Sequence, residues 1–267
     1  PAEFEANEKA LKAFGMIAHD LDLKGLLVQV YSEEIAAYYD PRTKTMYMIE
    51  EPAAAKKATP TFFEKLFGKA EGFDKDENKT VIAHEMTHAL ADQHYDLDGL
   101  HHDAKSDDDR SLAVSALIEG EATLAMMGVG MDDWEGTEIV KMPADGLDRG
   151  ISLMTPFLSM LGGGKSLREA PPVISESMMF PYLRGMVFCA HLANAGGWAA
   201  IDDAYRNPPQ STEQILHPSK FRKEPDPPTA VDLGALKVGE GWKELGRNVM
   251  GEMQTAVMLR RQRGAAA

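Results

Sequence analysis

Cysteine is nearly missing from this chain: Cys189 is the only one in 267 residues. A single cysteine excludes an internal disulfide framework and any metal module built from several thiolates. The fold therefore depends on a hydrophobic core, and any metal has to be held by other side chains. Hydrophobic residues make up 44% of the chain, which is enough for such a core.

Basic residues are also scarce. The chain has 28 Lys and Arg against 42 Asp and Glu, which gives a formal net charge of −14. This balance argues against a nucleic-acid binder, because no broad basic face would neutralise phosphates. It argues equally against a protein that binds membrane surfaces through a polybasic segment.

Long apolar runs are lacking as well. No run approaches the roughly 18–20 residues that a membrane span needs, and the most apolar stretch, residues 180–201, contains Arg184 and His191. We therefore predict no transmembrane segment. The chain starts at Pro1 without a signal-peptide pattern. We expect an extracytoplasmic or secreted protein whose export signal is not part of this chain.

The pattern of the first half mixes short strands and helices. Residues 35–39 and 45–49 are β-prone and flank a turn with Pro41, which predicts a hairpin. Residues 26–31 are apolar and β-prone, and residues 79–93 have helical apolar spacing. The acidic stretch 96–110 is typical of a solvated loop, in which we expect His101 and His102 to be exposed.

The second half is dominated by helical patterns. They cover residues 111–127, 180–195 and 242–263, with a short helix between the N-cap Ser211 and Pro218. The order predicts an α+β protein: an N-terminal α+β subdomain (1–95) with a hairpin, followed by a helical subdomain (96–267). We expect the cleft between the two to hold the functional site.

The strongest chemical pattern is His84-Glu85-Met86-Thr87-His88. On a helix, residues four apart lie on one face about 5–6 Å apart at Cβ, so both imidazoles reach one zinc ion. Glu85 is rotated by about 100° from His84, which places its carboxylate beside the metal, where it can act as general base toward a metal-activated water.

A catalytic zinc needs a third protein ligand. His94 would serve only if a glycine turned the chain back, but Ala91 stands at that place, so a straight helix carries His94 beyond the metal. Glu119 and Glu121 follow on the next helical pattern, on nearly opposite faces. The Glu119 face carries small residues suited to close helix approach, so Glu119 is the predicted ligand and Glu121 an exposed helix charge.

The stretch from His84 to Asp92 resembles the active-site helix of thermolysin-type metallopeptidases, the gluzincin class of zincins. The chain is still more similar to a group of little-characterised bacterial proteins. The shared motifs are HExTHALxDQHxDL at 84–97, EGxAT at 119–123, GGW at 196–198 and STEQILHP at 211–218. The resemblance implies a zincin-like fold in which His84, His88 and Glu119 bind Zn²⁺ and Glu85 is the general base.

The resemblance also implies features around the metal. The edge of the hairpin aligns an extended substrate by strand addition. A His or Tyr from the helical part donates to the oxyanion; our prediction is His217, held by Glu213, with Tyr182 and Tyr205 as rivals. Gluzincins commonly place an Asp four residues after the Glu ligand to orient a histidine. Here that residue is Thr123, and Asp92 is an alternative orienting group.

The sequence therefore predicts a zinc metallopeptidase that hydrolyses peptide bonds in peptide or protein substrates. Two alternatives remain open. One is a non-catalytic metal-binding scaffold or interaction protein of the cell envelope, although such a protein would not need Glu85. The other is a zinc amidase acting on a non-peptide substrate. The sequence leaves the oligomeric state open.

Overall fold

The computed structural model describes residues 2–35, 37–48, 75–161, 164–232, 234, 239–242, 244 and 246–265. The described chain is mostly helical, with one two-stranded sheet. Its helices are α1 (Ala2–Ala13), α2 (Leu23–Glu34), α3 (Lys75–Tyr95), α4 (Leu97–Ala104), α5 (Asp108–Gly130), α6 (Ala144–Leu161), α7 (Lys165–Glu169), α8 (Pro172–Gly196), α9 (Trp198–Arg206), α10 (Thr212–Leu216), α11 (Ser219–Arg222) and α12 (Glu252–Ala265). A 3₁₀ turn covers Ile139–Lys141. The mixed helix and sheet content agrees with the predicted α+β class, whereas the zincin-like arrangement and the division at residue 95 stay predictions.

The sheet is the predicted hairpin. Strands β1 (Ala37–Asp40) and β2 (Thr45–Met48) pair antiparallel, with Tyr38 opposite Tyr47. Lys44 adopts a left-handed conformation in the connecting turn (φ 54°). The strand predicted at residues 26–31 is wrong, because these residues lie within α2, which Asp22 caps through the amide of Gly25.

The centre of the protein is the pair α5 and α8. At their crossing the two backbones touch: a Cβ on Gly185 would lie 2.0 Å from the carbonyl oxygen of Ala116. A Cβ on Gly120 would lie 2.2 Å from the carbonyl carbon of Gly185. The close approach of α5 and α8 therefore depends on a glycine in each helix.

Gly185→Ala should therefore destabilise the protein strongly. We expect a loss of about 3 kcal/mol or more in the free energy of unfolding, because the helices have to move apart. Gly150→Ala is the matched control. A Cβ there meets nothing within 4 Å, and alanine favours a helix more than glycine does, so the free energy of unfolding should rise by up to about 1 kcal/mol. Urea unfolding of the three proteins measures both effects, and equal stability of Gly185→Ala and the parent would disprove the close contact.

By length and composition, α5 is the one helix among the described residues that could cross a bilayer. Of the 18-residue stretch of this helix that is apolar enough to span a bilayer, 61% is buried inside the protein. Its apolar side chains, among them the fully buried Leu117 and Leu124, are thus largely accounted for by packing against the neighbouring helices.

Two further predictions fail in the helical part. The acidic stretch 96–110 is not a continuous loop, since α4 and the start of α5 lie within it. Among the described residues of the helix predicted at 242–263, those before Glu252 are not helical, and the helix covers Glu252–Ala265. The short helix after Ser211 is confirmed: the Ser211 hydroxyl accepts a hydrogen bond from the amide of Gln214.

Candidate metal centre

Helices α3 and α5 bring three candidate ligands together. His84 and His88 lie four residues apart on α3, and their Nε2 atoms are 3.1 Å from each other. Glu119 of α5 faces both, with its Oε2 atom 3.1 Å from His84 Nε2 and 3.3 Å from His88 Nε2. The cluster lies inside the protein, with His84 6% and His88 9% exposed.

These distances fit a zinc ion. Ligand atoms at about 2.0–2.1 Å from a tetrahedral zinc are about 3.3 Å from one another. The three separations in the protein are 3.1, 3.1 and 3.3 Å. Two imidazole nitrogens and one carboxylate oxygen converging on one point is also the donor set of catalytic zinc sites.

Charge within the cluster favours a cation. Burial alone would raise the pKa of Glu119, but the charges and hydrogen bonds of His88 and His84 outweigh it and hold this pKa well below its usual range. Burial alone would lower the pKa of His88, but the carboxylates of Glu119, Glu85 and Glu121 raise it. Without a metal, the carboxylates thus favour the protonated form of His88, and a metal ion would compete with that proton.

Glu85 lies beside the cluster. Its side chain is buried, with the residue 7% exposed, and its charge acts on both His88 and Tyr182. Within the described part of the chain, no group hydrogen-bonds to its carboxylate. A buried carboxylate next to a metal-ligand cluster, with no protein donor of its own there, is suited to accept a proton from a bound molecule.

Glu121 does not behave as the sequence predicted. The structure places it half-buried rather than exposed, and its Oε2 atom accepts a hydrogen bond of 2.6 Å from Tyr205. Burial raises the pKa of Glu121 to about 7. The Tyr205 ring stacks on Tyr95 of α3, so Glu121 belongs to a polar contact between α3, α5 and α9. The sequence holds one sign of this burial. The segment Glu119-Gly120-Glu121 (the EGE segment) has small residues around it, so neither carboxylate is fully exposed to solvent.

His217 lies away from the cluster, contrary to its predicted role as oxyanion donor. Its Nε2 atom is 3.0 Å from Glu252 Oε1, and its side chain is half exposed. Thr212, at the start of the short helix that His217 follows, bonds to Asp109, which lies ten residues and about 15 Å of helix before Glu119. The predicted support by Glu213 is also wrong, because that carboxylate pairs with Lys220.

Tyr182 is the predicted rival that the structure brings to the site. Its ring stacks on His84 with 6.1 Å between centroids and 24° between planes. Burial and the charges of Glu119 and Glu85 raise its pKa well above the usual value, so the phenol stays protonated. The other rival, Tyr205, donates its hydroxyl to Glu121.

No family model, curated protein or solved structure matches this chain. The resemblance to thermolysin-type enzymes therefore stays a proposal based on motif and geometry.

Neither of the groups considered for orienting a histidine does so by a hydrogen bond that the structure shows. Thr123 is fully buried, and its hydroxyl has no hydrogen-bond partner among the described residues. Asp92 instead joins the hairpin to α3. Its carboxylate accepts hydrogen bonds from Tyr39 Oη and Lys44 Nζ, both at 2.7 Å, and from the amide of Leu97 at 3.1 Å.

This Asp92 contact predicts a pH-dependent contribution to stability. Burial would raise the pKa of Asp92, but its bonds to Lys44, Tyr39 and Leu97 hold it below its ordinary 3.8. A lowered carboxyl pKa stabilises the fold above the unfolded pKa, and this contribution is lost as the pH falls through the folded pKa. Asp92→Asn should thus cost about 1–3 kcal/mol at pH 7, and this cost should shrink as the pH falls below the unfolded carboxyl pKa of about 3.9.

Urea unfolding between pH 7 and pH 3 measures this difference, with the exposed Asp98→Asn as control. A stability gap between Asp92→Asn and the parent that stays constant over this range would show that the carboxylate charge does not matter.

Proposed function

We propose that this protein is a zinc-dependent metallopeptidase that hydrolyses peptide bonds in peptide or protein substrates. The observation that carries the proposal is the convergence of His84 Nε2, His88 Nε2 and Glu119 Oε2 at 3.1–3.3 Å, with the buried Glu85 beside them. A metal-binding scaffold would need the three ligands but has no use for a carboxylate in the position of Glu85.

His84, His88 and Glu119 would hold the zinc. When bound, zinc polarises a substrate carbonyl and lowers the pKa of water toward about 7. His84 and His88 are buried and Glu119 is partly exposed, so electrostatic interactions within the site are stronger than they would be in bulk water. Tyr182, stacked on His84, restricts the orientation of that imidazole.

Glu85 would act as the general base and then as a proton donor. Its carboxylate takes up the proton of the attacking water and passes it to the leaving amine, so the residue returns to its starting state. The lack of a hydrogen bond from other described residues supports this role, because a carboxylate already held by donors is a weaker base.

The hairpin is the proposed support for an extended substrate. It is fixed to α3 through Asp92, which lies one helical turn beyond His88. An extended peptide that pairs with one of its strands would therefore be held by backbone hydrogen bonds beside the helix that carries Glu85.

Cleavage of casein or a quenched fluorescent peptide tests the proposal. The purified protein should cleave in the presence of zinc, lose activity with a chelator and regain it when zinc is added back. A protein that binds zinc without cleaving any peptide would favour the scaffold alternative. Cleavage of non-peptide amides alone would favour the amidase alternative.

A further inference from the structure

Helix α5 carries a second carboxylate on the side opposite its candidate ligand. Glu121 follows Glu119 by two residues, so the two side chains leave the helix in directions about 200° apart. Glu119 faces the histidines of α3, whereas Glu121 Oε2 accepts the 2.6 Å hydrogen bond of Tyr205. Tyr205 belongs to α9 and is only 3% exposed. The turn of α5 that presents the candidate ligand is therefore held on its far side by a buried hydroxyl.

Tyr205 also connects α9 to α3. Its ring stacks on Tyr95 with 4.7 Å between centroids and 6° between planes. Tyr95 comes seven residues after His88, which is about two helical turns, so both lie on the same face of α3. The Tyr95 hydroxyl donates to Asp202 of α9 at 2.7 Å. Helix α9 thus contacts both of the helices that carry candidate ligands through one group of side chains.

Helix α9 is itself fixed in the fold. Ile201 and Ala204 on its inner face are fully buried, and the helix packs on α8. At its start, Trp198 Nε1 donates a 3.0 Å hydrogen bond to the carbonyl oxygen of Gly136. The hydroxyl of Tyr205 is therefore presented to α5 from a well-packed helix.

The direction of the Glu119 carboxylate depends on how α5 is rotated about its own axis. A side-chain carboxylate lies about 5–6 Å from the helix axis, so a rotation of about 20° would move it by about 2 Å. Metal–ligand distances tolerate deviations of only about 0.2 Å. Glu119 and Glu121 lie on one helical turn, so a bond that fixes the direction of one carboxylate also fixes the direction of the other.

We propose that Tyr205 and Glu121 are positioning residues for the third metal ligand: their hydrogen bond fixes the rotation of α5 and so aims Glu119 at the histidines of α3. Tyr95 and Asp202 hold α3 in register with the same helix, α9. The inference rests on the proposed function, because it needs a metal held by Glu119. The two carboxylates of the EGE segment then have separate tasks, one as ligand and one as anchor.

The test is Tyr205→Phe in the full chain, which removes the hydroxyl and keeps a ring to stack on Tyr95. We expect zinc affinity, measured by competition with a chromophoric chelator, to fall by about 10–100-fold, as on loss of other groups that orient a ligand. Glu121→Gln should lose less, because its amide oxygen can still accept the hydroxyl. Tyr39→Phe is the matched control. It also removes a hydroxyl bonded to a carboxylate, that of Asp92 at 2.7 Å, and should bind zinc like the parent.

The visible spectrum of the cobalt-substituted protein separates positioning from a general loss of stability. At saturating cobalt, a displaced Glu119 carboxylate in Tyr205→Phe should shift or weaken the absorption bands of the bound ion. A variant that is only less stable would show the parent spectrum once it is loaded. Tyr95→Phe removes only the bond to Asp202, so it should show the same changes in weaker form, and it replaces Tyr205→Phe if that variant does not fold.

Parent-like zinc affinity and cobalt spectrum in Tyr205→Phe would overturn the inference, as would equal losses of zinc affinity in Tyr205→Phe and Tyr39→Phe. If Tyr205→Phe does not fold, parent-like values in Tyr95→Phe would overturn it. A parent protein that binds zinc but cleaves no peptide would contradict only the proposed hydrolysis. A parent that binds neither zinc nor cobalt would contradict both proposals.

Discussion

Replacement of Glu85 by glutamine will leave zinc binding intact and remove peptide hydrolysis. The carboxylate lies beside the ligand cluster but is not one of the converging ligands, so the amide should not change the metal content. The amide cannot accept a proton, and general-base catalysis contributes about 10²–10⁴-fold. We therefore expect kcat to fall by at least about 100-fold, measured on a fluorescent peptide at saturating zinc.

The control for Glu85→Gln is the zinc content of the same sample, determined by elemental analysis. Equal zinc and a large loss of kcat would identify Glu85 as the base. A variant that cleaves peptides as fast as the parent would show that another group takes the proton, and one that loses its zinc would show that Glu85 is a ligand.

The second large effect concerns the two carboxylates of the EGE segment. Glu119→Gln should weaken zinc binding by more than about 100-fold. Loss of a residue that only holds a metal ligand in place typically weakens metal binding by about 10–100-fold, so a ligand should cost more. Glu121→Gln should keep zinc affinity within about tenfold of the parent, because its carboxyl is bonded to Tyr205. The two variants make the same chemical change two residues apart, so the difference between them isolates ligand position.

Competition with a chromophoric chelator measures both zinc affinities. A strong loss of zinc in Glu121→Gln together with normal binding by Glu119→Gln would place the third ligand on the other face of α5. Equal losses in both would indicate that disturbance of α5, rather than removal of a ligand, weakens binding.

The ligand cluster was predictable because its signals are local. The spacing of His84 and His88 follows from helix periodicity alone. The small residues on the Glu119 face favour Glu119 over Glu121, and the structure brings Glu119 Oε2 to 3.1 Å from His84 Nε2 and 3.3 Å from His88 Nε2. Local patterns of this kind survive in the fold because tertiary contacts reinforce them.

The surroundings of the site were not predictable in the same way. His217 was placed by motif resemblance, but its distance from Glu119 depends on how α10 packs against the start of α5. Helix α4, on which His101 is half-buried rather than exposed as predicted, lies in a stretch whose acidity is typical of a loop. This helix becomes visible in the sequence only when Leu97 and Ala104 are taken as one buried face.

Backbone propensity was also overruled by packing. The β-prone residues 26–31 lie in α2, where Val30 is fully buried. Strand propensity depends on context and spans only about 1 kcal/mol between residue types at one position, so burial of an apolar face outweighs it here.

The central claim is that His84, His88 and Glu119 hold one zinc ion. Anomalous diffraction across the zinc absorption edge, on crystals of zinc-loaded protein, tests it most directly. The account predicts one strong peak about 2.0–2.2 Å from His84 Nε2, His88 Nε2 and a carboxylate oxygen of Glu119. No peak between these three residues, or a peak held by Glu121 in place of Glu119, would contradict it.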